Sequence, residues 1–171
     1  MATLDVATLN RLGQAFQACN AAGVILTVVG TAVTGFVLSN PYGSGKKLVL
    51  SDAAFVPTTV PTATFALGIA VGFSTTAVTH TTPVSVYNGD GTGVSSTSVA
   101  KVDSSATLPV AAVLSRINGY APTTPATTGA LSWLDQIDGK LILSPGSYAH
   151  FTFVGTAPTG ISAMSWVEVP V

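Results

Sequence analysis

The chain has 171 residues, of which 8% are charged and 47% are hydrophobic, and its formal net charge is −1. Its six lysines and arginines are scattered, which argues against nucleic acid as a partner, because phosphate binding needs clustered cations. A free monomer of this length normally carries about a quarter charged residues, so the composition is typical of a surface covered within an assembly. These totals predict one domain and favour a structural or interaction protein over an enzyme.

The first residues differ from the rest of the chain. Leu4, Leu9, Leu12 and Phe16 recur at near-helical spacing. This pattern predicts a short amphipathic helix over residues 7–18, or an N-terminal arm that becomes ordered on a neighbouring subunit. The expected organisation is therefore an arm or helix over residues 1–22, followed by one domain over residues 23–171. The start lacks the short basic head of a secretory signal, so we expect no such signal.

From residue 24 onward the chain has the pattern of a β protein. Runs of apolar and β-branched residues alternate with turn signals, and no second helical pattern follows. The predicted fold class is all-β, a single antiparallel β-sandwich of jelly-roll type. No apolar run reaches the ~18 residues of a membrane helix, so no membrane partner is expected. The predicted strands cover residues 24–29, 31–39, 46–51, 65–73, 94–102, 108–114, 131–134, 141–143, 148–154 and 164–171.

The clearest strand covers residues 65–73, where large and small side chains alternate without error. Period two places every large residue on one face, which predicts core, and every small residue on the other. The small face can accept a covering segment or another copy at close range. The last two strands also alternate, which predicts two sets of inward side chains: Ala149, Phe151 and Phe153, and then Val167, Val169 and Val171.

Two glycine-rich segments invite a ligand interpretation that their spacing does not support. The segment 43–47 ends in Lys46 and Lys47, but a phosphate-binding loop needs a glycine where Asn40 stands and a hydroxyl where Lys47 stands. The segment 88–91 contains Asp90 as its only carboxylate, whereas calcium needs several acidic ligands. We therefore predict a tight turn at each place.

The only close acidic pair is Asp135 and Asp138, with Trp133 beside it. Two carboxylates with an aromatic platform are typical of sugar-binding and glycosidase sites. The simpler interpretation, which we favour, is an acidic turn between two strands, with Asp138 and Gly139 as its tip.

The remaining reactive residues do not form a predicted site. His80 lies in a threonine-rich segment, which predicts a solvated loop, and His150 alternates opposite Ala149 and Phe151, which places it on the outer face of its strand. The single cysteine, Cys19, is expected to be a buried, unreactive thiol. We accordingly predict no catalytic, cofactor-binding or metal-binding residues and no cofactor.

Two parts of the chain are more specific than a general β pattern. The first is residues 35–50, with the sequence GFVLSNPYGSGKKLVL, and the second joins LSPGSY at residues 143–148 to WVEVPV at residues 166–171. Both resemble small virion structural proteins of tailed bacteriophages, in particular head-decoration or cement proteins. The resemblance covers about a third of the chain and rests on turns and strands, so it transfers no individual functional residue.

The resemblance implies a jelly-roll sandwich that assembles as a homotrimer and sits on a phage capsid where major capsid subunits meet. It implies a place on the virion surface, with the host cytoplasm as the site of assembly, and a non-enzymatic stabilising role. The alternative is a receptor- or glycan-binding β module of a phage fibre or spike, with Tyr120, Trp133 and the threonine-rich segment 120–129 as its surface. A small hydrolase is a third possibility, but no residue pattern in the sequence supports it.

Overall fold

A computed structural model describes residues 12–59, 63–121 and 132–171. Within these ranges all of the regular secondary structure is β-strand. The strands form two antiparallel sheets that pack face to face. The predicted all-β sandwich is therefore confirmed.

The first sheet has the strand order β10-β4-β13-β1-β7. Two short strands extend it, since β2 pairs with β13 and β11 pairs with β4. Its strands are β1 (Ala15–Cys19), β2 (Val24–Ile25), β4 (Lys46–Pro57), β7 (Tyr87–Asn88), β10 (Trp133–Gln136), β11 (Ile142–Leu143) and β13 (Thr159–Pro170).

The second sheet has the strand order β6-β8-β3-β12-β5-β9. Its strands are β3 (Ala32–Ser39), β5 (Phe65–Phe73), β6 (Thr79–Val84), β8 (Lys101–Thr107), β9 (Val113–Ala121) and β12 (Ser147–Gly155).

The last two strands of the chain occupy central positions. Strand β13 lies between β1 and β4 in the first sheet, and β12 lies between β3 and β5 in the second. With β9 beside β5 and β10 beside β4, eight strands interleave in the double Greek key of a jelly roll. Strands β6, β7 and β8 are an insertion between β5 and β9 of this framework.

The main core lies between the two sheets and is rich in aromatic rings. Phe151 from the second sheet contacts Phe36 of the same sheet and Phe55 of the first sheet, with ring centroids 6.4 and 6.3 Å away. Strand β5 contributes as predicted, because Phe65, Leu67 and Ile69 are buried there. The alternation wrongly predicts that Phe73, the last large side chain of β5, is buried, because this residue is 58% exposed.

The small face of β5 is covered by the chain itself. A second buried cluster lies on the outer side of the second sheet. A side chain at Gly72 would overlap the Tyr148 ring, so the glycine is required by this close approach. The expected covering segment is thus supplied partly by residues that follow β5 and β8. The cluster comprises Val33, Val37, Ala70, Val78, Ala106, Leu108, Ala112 and Tyr148.

The predicted N-terminal helix is wrong where the structure describes it. Residues 15–19 form strand β1, which pairs along its whole length with β13. Phe16 and Ala18 enter the core while Gln17 and Cys19 face outward, which is the period of a strand. Residues 7–11 of that prediction lie outside the described residues.

The inward face of β13 is also the opposite of the predicted one. Met164 and Trp166 enter the core, whereas Val167 joins a small outer cluster and Val171 is 72% exposed. Both faces of this strand carry apolar residues, so alternation alone does not decide between them. Glu168 can face inward because hydrogen bonds satisfy its carboxylate.

Two predicted strands are displaced along the chain. Residues 108–112 are not a strand, because Leu108 and Ala112 belong to the segment that covers the outer cluster, and β9 begins at Val113. Likewise, β8 begins only at Lys101 rather than near residue 94.

Candidate functional site

A cleft of about 510 Å³ lies on the outer face of the first sheet. Its base is formed by β4, β13 and β1, and residues of two turns stand at its sides. Gly89 comes from the turn after β7, and Asp138 comes from the turn between β10 and β11. The structure therefore brings together two turns that the sequence predicts separately.

A polar row crosses the sheet in this cleft. Strand register places Gln136 opposite Asp52, Asp52 opposite Ser165, Ser165 opposite Gln17, and Gln17 opposite Tyr87. Residues directly opposite one another share a face, and here that face is the outer one, since Phe16 and Trp166 beside them are in the core. Five strands at ~4.8 Å spacing make a row about 19 Å long.

Most of the hydrogen-bonding capacity of this row is unused. The Ser165 hydroxyl donates to Asp52 Oδ1 at 3.0 Å. The exposed side-chain amides of Gln17 and Gln136 have no hydrogen-bond partner in the part of the chain that the structure describes. Each amide offers two donors and an acceptor, and the second carboxylate oxygen of Asp52 is a further acceptor.

The turn that follows β7 is held by its own side chains. Asp90 accepts hydrogen bonds from the backbone N–H of Thr92 at 3.0 Å and from its hydroxyl at 2.7 Å. These two bonds lower the pKa of the Asp90 carboxyl. Among the described residues, no group of three or more metal-ligating side chains lies together. Asp90 therefore stabilises the turn through its two hydrogen bonds with Thr92.

The turn between β10 and β11 confirms the predicted tip. Asp138 and Gly139 both have positive φ, 49° and 74°, as the two central residues of a type I′ turn require. Lys140 N–H donates to the Ile137 carbonyl across it at 3.0 Å. This geometry holds Asp138 at the rim of the cleft.

The structure separates Asp135 and Trp133 from Asp138. Asp135 accepts from the Arg116 guanidinium at 2.9 and 3.0 Å and from the Asn118 amide, and these bonds join the edge strands β10 and β9. The Trp133 ring packs against Phe55 and Phe65, with centroids 6.0 and 5.4 Å away. Both side chains close the edge of the sandwich, so the two acids and the tryptophan do not form one sugar site.

A second feature, which sequence reasoning missed, is a pair formed by His80 and Asp103. His80 lies on β6 and not in a loop, and its Nδ1 is 2.5 Å from Asp103 Oδ2 on β8. The Asp103 side chain is fully buried and its Oδ1 has no partner among the described residues. No hydroxyl of the described chain is hydrogen-bonded to His80, so the pair lacks the nucleophile of a hydrolase triad.

His80 also borders a second groove of about 430 Å³, which Ser95, Ser98 and Lys101 line. No sequence motif could have indicated the pair, since 23 residues separate its members and only strand pairing joins them.

His150 lies on the outer face of β12, as predicted, but that face is covered there. Its side chain is buried, Nδ1 is 2.8 Å from the Phe151 carbonyl, and Nε2 has no partner among the described residues. Desolvation lowers the pKa of His150. It is therefore a neutral buried histidine near pH 7.

The predicted burial of Cys19 is wrong. The alternation of β1 directs Cys19 away from the core, and the residue is exposed. Partial desolvation still raises the pKa of its thiol.

The segment around Lys46 and Lys47 is the predicted turn. Gly43 and Gly45 have positive φ, and strand β4, not a helix, follows them. Lys46 Nζ lies 2.9 Å from Glu168 Oε2, so this amine has a partner within the fold.

In the described ranges no helix is long and apolar enough to cross a membrane. No protein-family model, no curated protein and no solved structure matches this chain.

Proposed function

We propose that this chain is a non-enzymatic virion structural protein that decorates and stabilises a phage capsid through extended contacts with the major capsid protein. The carrying observation is an exposed, uncharged apolar surface on the outer face of the second sheet. We call it the β9 patch, and it consists of Ala66, Ile117, Tyr120 and Val154.

The β9 patch is continuous in strand register. Tyr120 on β9 lies opposite Ala66 on β5, which lies opposite Val154 on β12. Ile117 forms the adjacent row with Gly68. Tyr120 and Ile117 are each 63% exposed, and Val154 is 57% exposed. Grouped apolar exposure of this kind is typical of protein–protein contact surfaces.

In the described ranges, five of the eleven Lys, Arg, Asp and Glu side chains take part in ion pairs within the fold. Three ion pairs occupy Glu168, Asp103 and Asp135. Among the described residues, this leaves six charged side chains without an ion pair: Lys47, Lys101, Lys140, Asp52, Asp90 and Asp138. So sparse a charge gives little repulsion between copies and suits a surface that is covered on a shell.

The proposed mechanism is burial of apolar area at many equivalent positions. Full burial of one exposed valine or isoleucine side chain contributes about 1.5–3 kcal/mol before the cost of association. Attachment of an oligomer at several points raises the total affinity, so each contact can be weak. The jelly roll is a fold that capsid proteins use, which supports a virion role together with the sequence resemblance.

The alternative glycan-binding surface built on Tyr120 and Trp133 receives less support. Trp133 is packed against two phenylalanines, and most of the threonine-rich segment 120–129 lies outside the described residues. We therefore keep the decoration role as the proposed function.

Variants of the β9 patch test this proposal. We expect the unaltered protein to sediment with particles made without its gene, and the double variant Ile117→Lys/Val154→Lys to remain in the supernatant. Two lysines would have to be desolvated in the contact, which opposes binding. Thr107→Lys, at an exposed position on β8, is the matched control and should still sediment. Equal sedimentation of the patch variant and the control would contradict the proposal.

The trimer is tested separately by light scattering. A mass near three times the 17.2 kDa chain supports it, and a stable monomer at all concentrations contradicts it.

A further inference from the structure

We propose that the cleft on the outer face of the first sheet binds a neutral, polyhydroxylated ligand, namely a segment of a glycan chain. The proposal concerns a different face from the β9 patch. It does not depend on the capsid role, because it rests on the polar row and the two turns described above.

The shape of the cleft suits an extended ligand. A volume of about 510 Å³ is in the ordinary range of ligand sites. The polar row runs across the strands for about 19 Å, counted as four gaps of ~4.8 Å, so it can follow several sugar rings rather than one. Gly89 and Asp138 stand beside it on opposite turns, and a chain can lie between them.

The chemistry of the row is that of hydroxyl recognition. A sugar hydroxyl both donates and accepts, so it needs acceptors and donors placed side by side. The Asp52 carboxylate accepts, and it is fixed in position by the Ser165 hydroxyl at 3.0 Å. The amides of Gln17 and Gln136 do both, and they lie on either side of this pair in strand register.

The ends of the row add apolar contact. Tyr87 lies opposite Gln17 and is 44% exposed, so its ring can pack against the C–H face of a sugar while its hydroxyl stays in water. At the other end Leu134, two residues before Gln136 on β10 and on the same face, is 68% exposed. A glycan has apolar C–H faces as well as hydroxyls, so it can use both kinds of group.

The charge of the cleft indicates which glycans fit. Among the residues that the structure describes, its lining includes the carboxylates of Asp52 and Asp138 and no lysine or arginine. A polyanionic chain such as a uronate polymer would be repelled, whereas a neutral polysaccharide would not. The ligand class is therefore a neutral glycan.

Affinity electrophoresis in native gels tests this inference. The probes are three neutral polysaccharides, a galactomannan, a β-glucan and a dextran, with alginate as the polyanion. We expect at least one neutral polymer to retard the protein and alginate not to do so. Retardation by alginate alone, or by none of these polymers and by no neutral glycan on an array, would overturn the proposal.

A variant then locates the binding. The double variant Gln17→Ala/Gln136→Ala should weaken binding about tenfold or more, as expected for the loss of two hydrogen-bonding side chains. Both amides are without partners in the described chain, so the variant should keep its unfolding midpoint. Thr107→Ala, on the other sheet, should bind like the unaltered protein. Undiminished binding by the cleft variant would place the glycan elsewhere and contradict the inference.

The β9 patch variant separates the two proposals. Ile117→Lys/Val154→Lys should lose the particles but keep the polysaccharide, because the two surfaces lie on opposite sheets. Loss of both activities in this folded variant would contradict their independence.

Discussion

Glu168 is the residue on which the loop before β8 depends. Its side chain is fully buried at the end of the core. Its carboxylate accepts from Lys46 Nζ at 2.9 Å, from the Ser98 hydroxyl at 2.6 Å and from Val99 N–H at 3.0 Å. A buried charge is tolerated only when it is paired and hydrogen-bonded, and here one carboxylate satisfies groups from two other segments, the start of β4 and the loop before β8.

We predict that Glu168→Gln destabilises the fold by roughly 1–3 kcal/mol, because the charge-assisted bonds are lost and Lys46 loses its partner. The estimate is below that for a fully buried pair, since 36% of the Lys46 side chain is exposed. Urea unfolding measures the change. Lys47→Gln removes a neighbouring charge that has no ion pair in the described chain, and it should change stability by less than about 0.5 kcal/mol. Equal effects of the two variants would contradict this role of Glu168.

His150 gives a prediction about pH. Desolvation lowers the pKa of His150 in the folded state below the ordinary 6.5. As the pH falls below 6.5, the histidine is therefore protonated in the unfolded state before it is protonated in the folded state. The free energy of unfolding is therefore not reduced by His150 above about pH 6.5, and it falls as the pH drops toward the folded-state pKa of this residue.

The variant His150→Leu should lose less stability than the unaltered protein between pH 7.5 and pH 5. Urea titrations at the two pH values measure this difference. His80→Gln serves as the comparison, since His80 is partly exposed and bonded to a carboxylate. An identical loss in the unaltered protein and the His150 variant would contradict the assignment.

Among the elements, β5 shows how a strand's two faces have different needs. Its large face packs into the main core, and its small face lies under Tyr148, whose hydroxyl donates to the Val110 carbonyl at 2.6 Å. This bond ties β12 to the segment that covers the outer cluster. Burial raises the pKa of Tyr148, in keeping with a ring held against protein rather than water.

We predict that Gly72→Ala destabilises the protein by about 1–3 kcal/mol, since its methyl group would displace the Tyr148 ring. Chemical unfolding measures the change. The matched control is Gly30→Ala, where the nearest atom to the new methyl, the Val28 carbonyl oxygen, is 3.8 Å away. The control should be neutral or up to about 1 kcal/mol more stable, because alanine restricts the unfolded chain. A harmless Gly72→Ala would show that the ring can move freely.

The sequence predicts elements well where the side chains on the two faces of a strand differ clearly in size or polarity. Strand β5 was predicted with its observed ends, and β12 with its inward residues Ala149, Phe151 and Phe153. The sequence predicts the wrong inward face for β13, because both of its faces carry apolar residues and the partners of Glu168 lie far away in sequence. Strand β1 was missed because five residues carry little local signal, and its partners are β13 and β7.

The cleft could be predicted from the sequence only in part. Its two turns were predicted from Asn-Gly and Asp-Gly signals. The polar row was not, because Gln17, Asp52, Gln136 and Ser165 come from four strands and only the register aligns them. Pairing between distant strands is the information that alternation in one strand does not contain.

At the scale of the whole molecule, both sheets are completed by strands near the C-terminal end of the chain. Strands β12 and β13 are inserted between earlier strands in both sheets, so neither sheet is complete without the C-terminal segment. The result is a sandwich with two distinct outer surfaces, the apolar β9 patch on one sheet and the polar cleft on the other. The two proposals use these surfaces separately, the β9 patch for attachment and the cleft for a glycan.

The measurement that tests the decoration role most directly is the heat stability of virions made with and without this gene. Thermal release of the genome is followed by dye fluorescence, and the protein is counted per particle by quantitative mass spectrometry. We predict many copies on each normal particle, and release at a lower temperature from particles without the protein, restored when the purified protein is added back. Absence of the protein from normal particles, or an unchanged release temperature without it, would contradict the proposed function.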